Sequence, residues 1–200
     1  MRASLSRVPA TTTETRRGSS TSDLLTEIPQ LDELLAQHAA AMGSDAVSYR
    51  NHAYRVANLC IAFAPRDPDT VHKIAIAASL HDMGIWTNRT FDYLQPSIDL
   101  ARTHLERVGK AEWTAEITTM ILEHHKISPY RGRADWLVES FRKSDWIDVT
   151  WGLLSFGVPR TRLQELQRHW PDAGFHMGLV KQALKRFLTH PWSPLPMFRA

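Results

Sequence analysis

From Pro29 to about Leu188 the apolar residues of this 200-residue chain recur every three or four positions, and no stretch alternates as a strand would. That periodicity leaves one fold class, an all-α, single-domain helical bundle. Its punctuation can be read in order. Pro29 suits a first helical turn, and Leu31, Leu34, Leu35 and His38 follow at helix spacing. Gly43 is placed to end that helix and Ser44 to cap a second, which reaches about Ala64. Asp67 and Pro68 begin a third, with a stop at Gly84, and Ile85 to Gln95 reads as an aromatic loop. Pro96 opens a fourth helix that Gly109 ends; a fifth spans about Ala111 to His125 and a sixth about Ala134 to Val149. Beyond a break at Gly152 to Pro159, helices over about Arg160–His169 and His176–Leu188 read as packing elements. Residues 1–22, rich in Thr, Ser and Arg, read as a disordered tail, with an organelle transit peptide as the alternative. Residues 23–190 form the helical domain on this reading, and 191–200, with three prolines, an irregular tail.

Polar groups interrupt the apolar faces of these helices. His52 stands with Val56, Leu59 and Phe63, and His81 with Val71, Ile74, Ala77 and Ala78. His104 sits with Ala101, Leu105 and Val108, and His124 with Ile117 and Ile121. Asp145 shares a stripe with Val138, Phe141 and Val149. Asp82 follows His81 at about 100° around the helix axis, so both can reach one site. One histidine on an apolar face is usually a hydrogen-bonded core residue. Four histidines and two aspartates buried without ligands would leave too many polar atoms unmatched. Meeting around one or two divalent metal ions accounts for all six, drawn from five helices. Nitrogen and carboxylate donors suit Fe, Mn, Zn, Ni or Co, and the single cysteine, Cys60, rules out a multi-thiolate zinc knot or an internal disulfide.

With two oxygens, Asp82 can bridge a metal pair, and two metals about 3.5–4 Å apart can clamp a phosphoryl group and acidify a water. His125 can exchange roles with His124 or meet a substrate. Asp148, one turn after Asp145, is the competing carboxylate. Lys126, Arg131 and Arg133 are candidates to meet an anionic substrate, a solvated loop being the alternative. The remaining histidines, 38, 72, 169, 176 and 190, read as surface or packing residues.

The ordered set His52, His81-Asp82, His104, His124 and Asp145 resembles the HD-domain superfamily over roughly residues 44–150. The resemblance implies a helical metal-binding core there, with His52, His81, Asp82 and Asp145 on a first metal. It implies His104 and His124 on a second, with Asp82 between them. Most studied members look like phosphohydrolases of nucleotides or other phosphate esters; one binuclear branch is a mixed-valent di-iron oxygenase and another resembles cyanamide hydratase. Two departures bear on the branch. Where a lysine often follows the doublet, position 85 is isoleucine, and the Gly-Tyr-Pro signature of cyclic-di-nucleotide phosphodiesterases is missing. Both weaken the diesterase analogy, and Ile85 also weakens the oxygenase one.

Net charge is +3, from 24 basic and 21 acidic residues without a basic block, so no nucleic-acid polymer is implied as a partner. No run approaches the ~18 apolar residues of a membrane span, so no membrane partner is expected. The first 22 residues lack the apolar centre of a secretory signal, which leads to the expectation of a cytoplasmic enzyme. The expected substrate is a small anion, hydrolysed with Asp82, His125 and Lys126 as the catalytic residues. A di-iron oxygenase, a hydratase and a non-enzymatic metal-binding bundle are the alternatives.

Overall fold

Helix α3 (Ala46–Ala62) organises the computed structural model, because it is buried on nearly every side. Its sequence looks too polar for that position, and each polar residue has a reason to be there. Asn58 pairs with the backbone of Leu25 in both directions. Asn51 donates to the carbonyl of Pro171, and Arg55 and His52 both reach Asp148. Buried polar groups satisfied in this way cost little, so α3 is a central helix rather than an amphipathic surface one.

The structure describes residues 24–189 and Trp192; the segments read as terminal tails fall outside these, apart from Trp192. All regular elements among the described residues are helical. Helix α1 (Pro29–Gln37) buries Leu31, Leu34 and Leu35 and leads through the short α2 (Ala39–Met42) and a 3-10 turn, Gly43–Asp45, into α3. Gly43 ends the run at a φ of 55°, as its position suggested. The Ser44 cap does not form; Ser44 lies inside the 3-10 turn and no side chain caps α3.

Helix α4 (Pro68–Leu80) starts where expected, with the Asp67 carboxylate accepting from Thr70 N at 2.9 Å. It stops one residue before the doublet, so His81 and Asp82 lie in a turn rather than in the helix. Gly84 is therefore not a C-terminal stop. It opens α5 (Gly84–Thr87), inside the stretch expected to be loop. Its place is steric: a Cβ there would meet the carbonyl oxygen of Tyr93 at 2.5 Å and Pro96 Cβ at 2.9 Å.

Helix α6 (Leu94–Arg107) takes Pro96 into its first turn, and α7 (Thr114–Glu123) follows a 3-10 turn at Ala111–Trp113. Helix α8 (Val138–Val149) packs beside α3, and α9 (Arg160–His169) and α10 (Phe175–Thr189) complete the helices among the described residues. One contiguous apolar core runs from Leu24 to Phe175. No helix among the described residues is long and apolar enough to cross a membrane.

Candidate metal centre

Four helices converge where α4 and α7 end. His52 comes from the middle of α3, His81 and Asp82 from the turn after α4, His124 and His125 from the turn after α7, and Asp145 from α8. Ending a helix there frees the side chains of two consecutive residues to point into one space. His52, His81, Asp82, His124 and Asp145 are all buried, and His125 keeps a side chain 15% exposed.

Three imidazoles are oriented alike. His52 donates from Nδ1 to Asp148 Oδ2 at 2.7 Å, His81 from Nδ1 to the carbonyl of Ala78 at 3.0 Å, and His124 from Nδ1 to the carbonyl of Ile121 at 2.6 Å. Each ring thus turns a bare Nε2 inward, the usual outer support of a metal-ligating histidine. The Nε2 atoms of His52 and His81 lie 3.0 Å apart. Two lone pairs at that distance repel unless a cation sits between them. Donor atoms about 2.1 Å from a shared cation are spaced about 3.0–3.4 Å, depending on the coordination angle.

The carboxylates fit the same spacing. Asp82 Oδ2 is 3.4 Å from His81 Nε2, and Asp145 Oδ1 is 3.5 Å from His52 Nε2. Their other oxygens face a second set of donors: Asp82 Oδ1 is 3.4 Å from His124 Nε2, and Asp145 Oδ2 is 3.5 Å from His125 Nδ1. Asp82 Oδ1, Asp145 Oδ2 and His124 Nε2 are buried without a hydrogen-bond partner. Leaving three such atoms unmatched in one cluster is costly, and divalent cations bound there would match them. The donor groups His52, His81, Asp145 and His81, Asp82, His124 are each compact enough to hold one, as are His124, His125 and Asp145.

Burial dominates the electrostatics. It pushes the Asp145 carboxyl up to about 6 and the His81 ring down to about 3. Burial alone would also raise Asp82, but His81 and His124 beside it bring that carboxyl well below its usual range. In Asp148 burial is likewise overcome, here by the Arg55 guanidinium.

Five of the six expected ligands come together, and His104 does not. It sits half-buried at the edge of the α6 face that packs inward, which is carried by Ser97, Ile98, Ala101 and Leu105, and its Nδ1 accepts from Arg107 at 3.1 Å, away from the centre. His125 occupies the space expected for it, so the donors come from four helices rather than five. Lys126 follows directly and is half-buried, its carbonyl accepting from Arg142 and Trp146. Arg133 is engaged with Asp135 at 2.7 Å on the surface and Arg131 is exposed, so neither lies at the centre.

Sequence reasoning missed the supporting groups. Asp148, weighed as a rival ligand, instead orients His52 and is clamped by Arg55 Nε at 2.6 Å and NH2 at 2.8 Å. The signal was present: Arg55 follows His52, and Asp148 follows Asp145, by the same three residues on neighbouring helices. The Tyr49 hydroxyl accepts from Asp82 N at 3.3 Å and donates to the carbonyl of Ser79 at 3.1 Å, pinning the doublet turn. The Tyr93 hydroxyl is hydrogen-bonded to His125 Nε2. Phe175 stacks on His52 with ring centroids 4.0 Å apart, closing the centre from the C-terminal side.

The family model described as HD domain matches residues 49–150 of the 200. The chain belongs to the HD domain family. Members of that family are generally metal-dependent hydrolases that bind divalent metals, and the cluster here is compatible with metal binding. No curated protein and no solved structure matches the chain.

Proposed function

We propose that this HD domain protein is a metal-dependent hydrolase of a small phosphate ester or nucleotide. One observation supports the reading above the others: bare Nε2 atoms and carboxylate oxygens face each other at cation-sharing distances, each imidazole braced from behind. A divalent cation bound there supplies Lewis acidity and acidifies a water near neutral pH. In our reading His52, His81, Asp82 and Asp145 hold a first cation. Asp82 with His124 on one side, and Asp145 with His124 and His125 on the other, would supply donors for a second.

The protein's own groups do the rest. His125 is the one member of the cluster with notable exposure, so it meets substrate first, and its contact with Tyr93 fixes the ring. Lys126, next along the turn, supplies a positive charge for an anionic head group. The oxygenase alternative loses support at Ile85: where that analogy calls for a lysine near substrate, the isoleucine is buried against Tyr93 and Leu94.

The test is phosphate release from a panel of nucleotides and phosphomonoesters by protein loaded with Mn, Fe, Co, Ni or Zn, with metal content measured by mass spectrometry. Turnover that follows metal content and disappears in Asp82→Asn is expected. Metal-loaded protein that releases no phosphate from any substrate, or that consumes oxygen with iron bound, overturns the proposal.

A further inference from the structure

Where α1, α4 and α6 meet lies a groove of about 480 Å3 that the metal centre does not use. Leu34, Leu80 and Leu100 give it an apolar floor. Arg107 stands on its wall, donating from NH2 to Gln37 Oε1 at 3.3 Å and to His104 Nδ1 at 3.1 Å. Among the described residues Arg107 makes no ion pair.

These contacts settle the protonation of His104. A guanidinium only donates, so Nδ1 must accept and the ring proton belongs on Nε2. Burial first, and then the charge of Arg107, hold the ring below its ordinary pKa, which keeps it neutral at pH 7. His104 Nε2 is therefore a buried N–H donor, and it has no partner. Such donors are rare in a folded protein and call for an acceptor. His38 and the Asn88 amide line the same groove. The one acid there, Asp99, is already engaged, accepting from Gln95 at 2.9 Å and lying 3.8 Å from Arg102.

We propose that this groove is a binding site for a small organic anion, an acidic head group on a short apolar body, separate from the metal centre. Arg107 takes the head, His104 donates to it from Nε2 once its half-buried ring turns toward the groove, and the leucine floor takes the body. Carboxylate and phosphate monoester heads share the required chemistry. The occupant rests on Leu80, which directly precedes the turn that carries His81 and Asp82, and on Asn88, which ends α5.

Phenylacetate and phenyl phosphate serve as probes, titrated separately into the uniformly 15N-labelled full chain and followed by amide chemical shifts. Saturable shifts at residues 34–38, 80, 88 and 99–107 are expected with at least one probe, and which one binds identifies the head group. The shifts persist after chelation of metal. Arg107→Leu weakens binding at least about tenfold and His104→Ala severalfold, as loss of a charge-assisted and a neutral hydrogen bond should. If the Arg107→Leu spectrum shows unfolding, Arg107→Lys and His104→Gln carry the comparison. The proposal is overturned if neither probe shifts groove amides up to ~20 mM, weaker than the millimolar end of the affinity scale. It is equally overturned if the variants bind like the parent, or if the shifts centre on residues 52, 81, 82, 124, 125 and 145 and vanish with the metal.

Discussion

Asp148→Asn separates outer support from metal ligation with one isosteric change. Asp148 is 3% exposed and accepts three hydrogen bonds, from Arg55 Nε at 2.6 Å, Arg55 NH2 at 2.8 Å and His52 Nδ1 at 2.7 Å. The amide keeps the shape and removes the charge, leaving the Arg55 guanidinium buried at 1% exposure with no carboxylate. Deleting one partner of such a pair costs about 3–5 kcal/mol. In a chain of this size each kcal/mol is worth about 2–4 °C, so the metal-free protein should melt about 6–20 °C lower. The second effect is on the ring. An amide that presents its NH2 to His52 Nδ1 moves the ring proton to Nε2, and metal affinity should fall about 10–100-fold. Thermal unfolding in chelator reads the first effect, and competition with a chromophoric chelator reads the second. A metal-free variant melting within about 2 °C of the parent would refute the buried pair, and unchanged affinity would refute the positioning role. The pH profile carries the same information. Arg55 holds the Asp148 carboxyl below its usual range, so its contribution is full above about pH 4 and is lost as pH falls further.

Asp145 runs the other way. Burial raises its carboxyl to about 6 in the metal-free protein, so its contribution to metal-free stability is full below about pH 4 and is lost as pH rises through 6. A cation needs the ionised form, so affinity measured by titration should drop about tenfold from pH 7 to 5, and a flat profile would contradict the assignment. Metal analysis should find His104→Ala loaded like the parent and His125→Ala depleted; the reverse would restore His104 as a ligand. Gly84→Ala drives a methyl group to 2.5 Å from the Tyr93 carbonyl oxygen, which backbone cannot relieve, and should cost about 1–3 kcal/mol in denaturant melts.

The helices were legible because each buries an apolar stripe with a regular period, and α9 matches its expected span of Arg160–His169. The doublet and its distant partners were legible for the same reason, as polar residues on apolar faces. What failed was register at helix ends. His104 shares a side of α6 with Ala101 and Leu105, yet the ring leaves that face and meets Arg107, a neighbour one turn on. His124 and His125 both reach the cluster because α7 unwinds after Glu123, and a turn lets adjacent side chains converge in a way a continuing helix does not. The Arg55–Asp148 clamp was hidden because charged residues on a helix read as solvated, and α3 is buried all round only once α8 and the residues after α9 are in place.

That last dependence sets an order of assembly. Arg55 also donates from NH1 to the carbonyl of Trp170 at 2.8 Å, and Asn51 reaches the carbonyl of Pro171 at 2.8 Å. Both acceptors lie beyond residue 150, where the family match ends. A nascent chain paused on the ribosome with only that matched segment exposed holds all six donors for a cation, yet lacks the carbonyls that its central helix needs. Folding of the domain is therefore expected to finish only once the last quarter of the polypeptide has been translated, and a fragment trimmed to the matched boundaries should fold less completely than the whole chain.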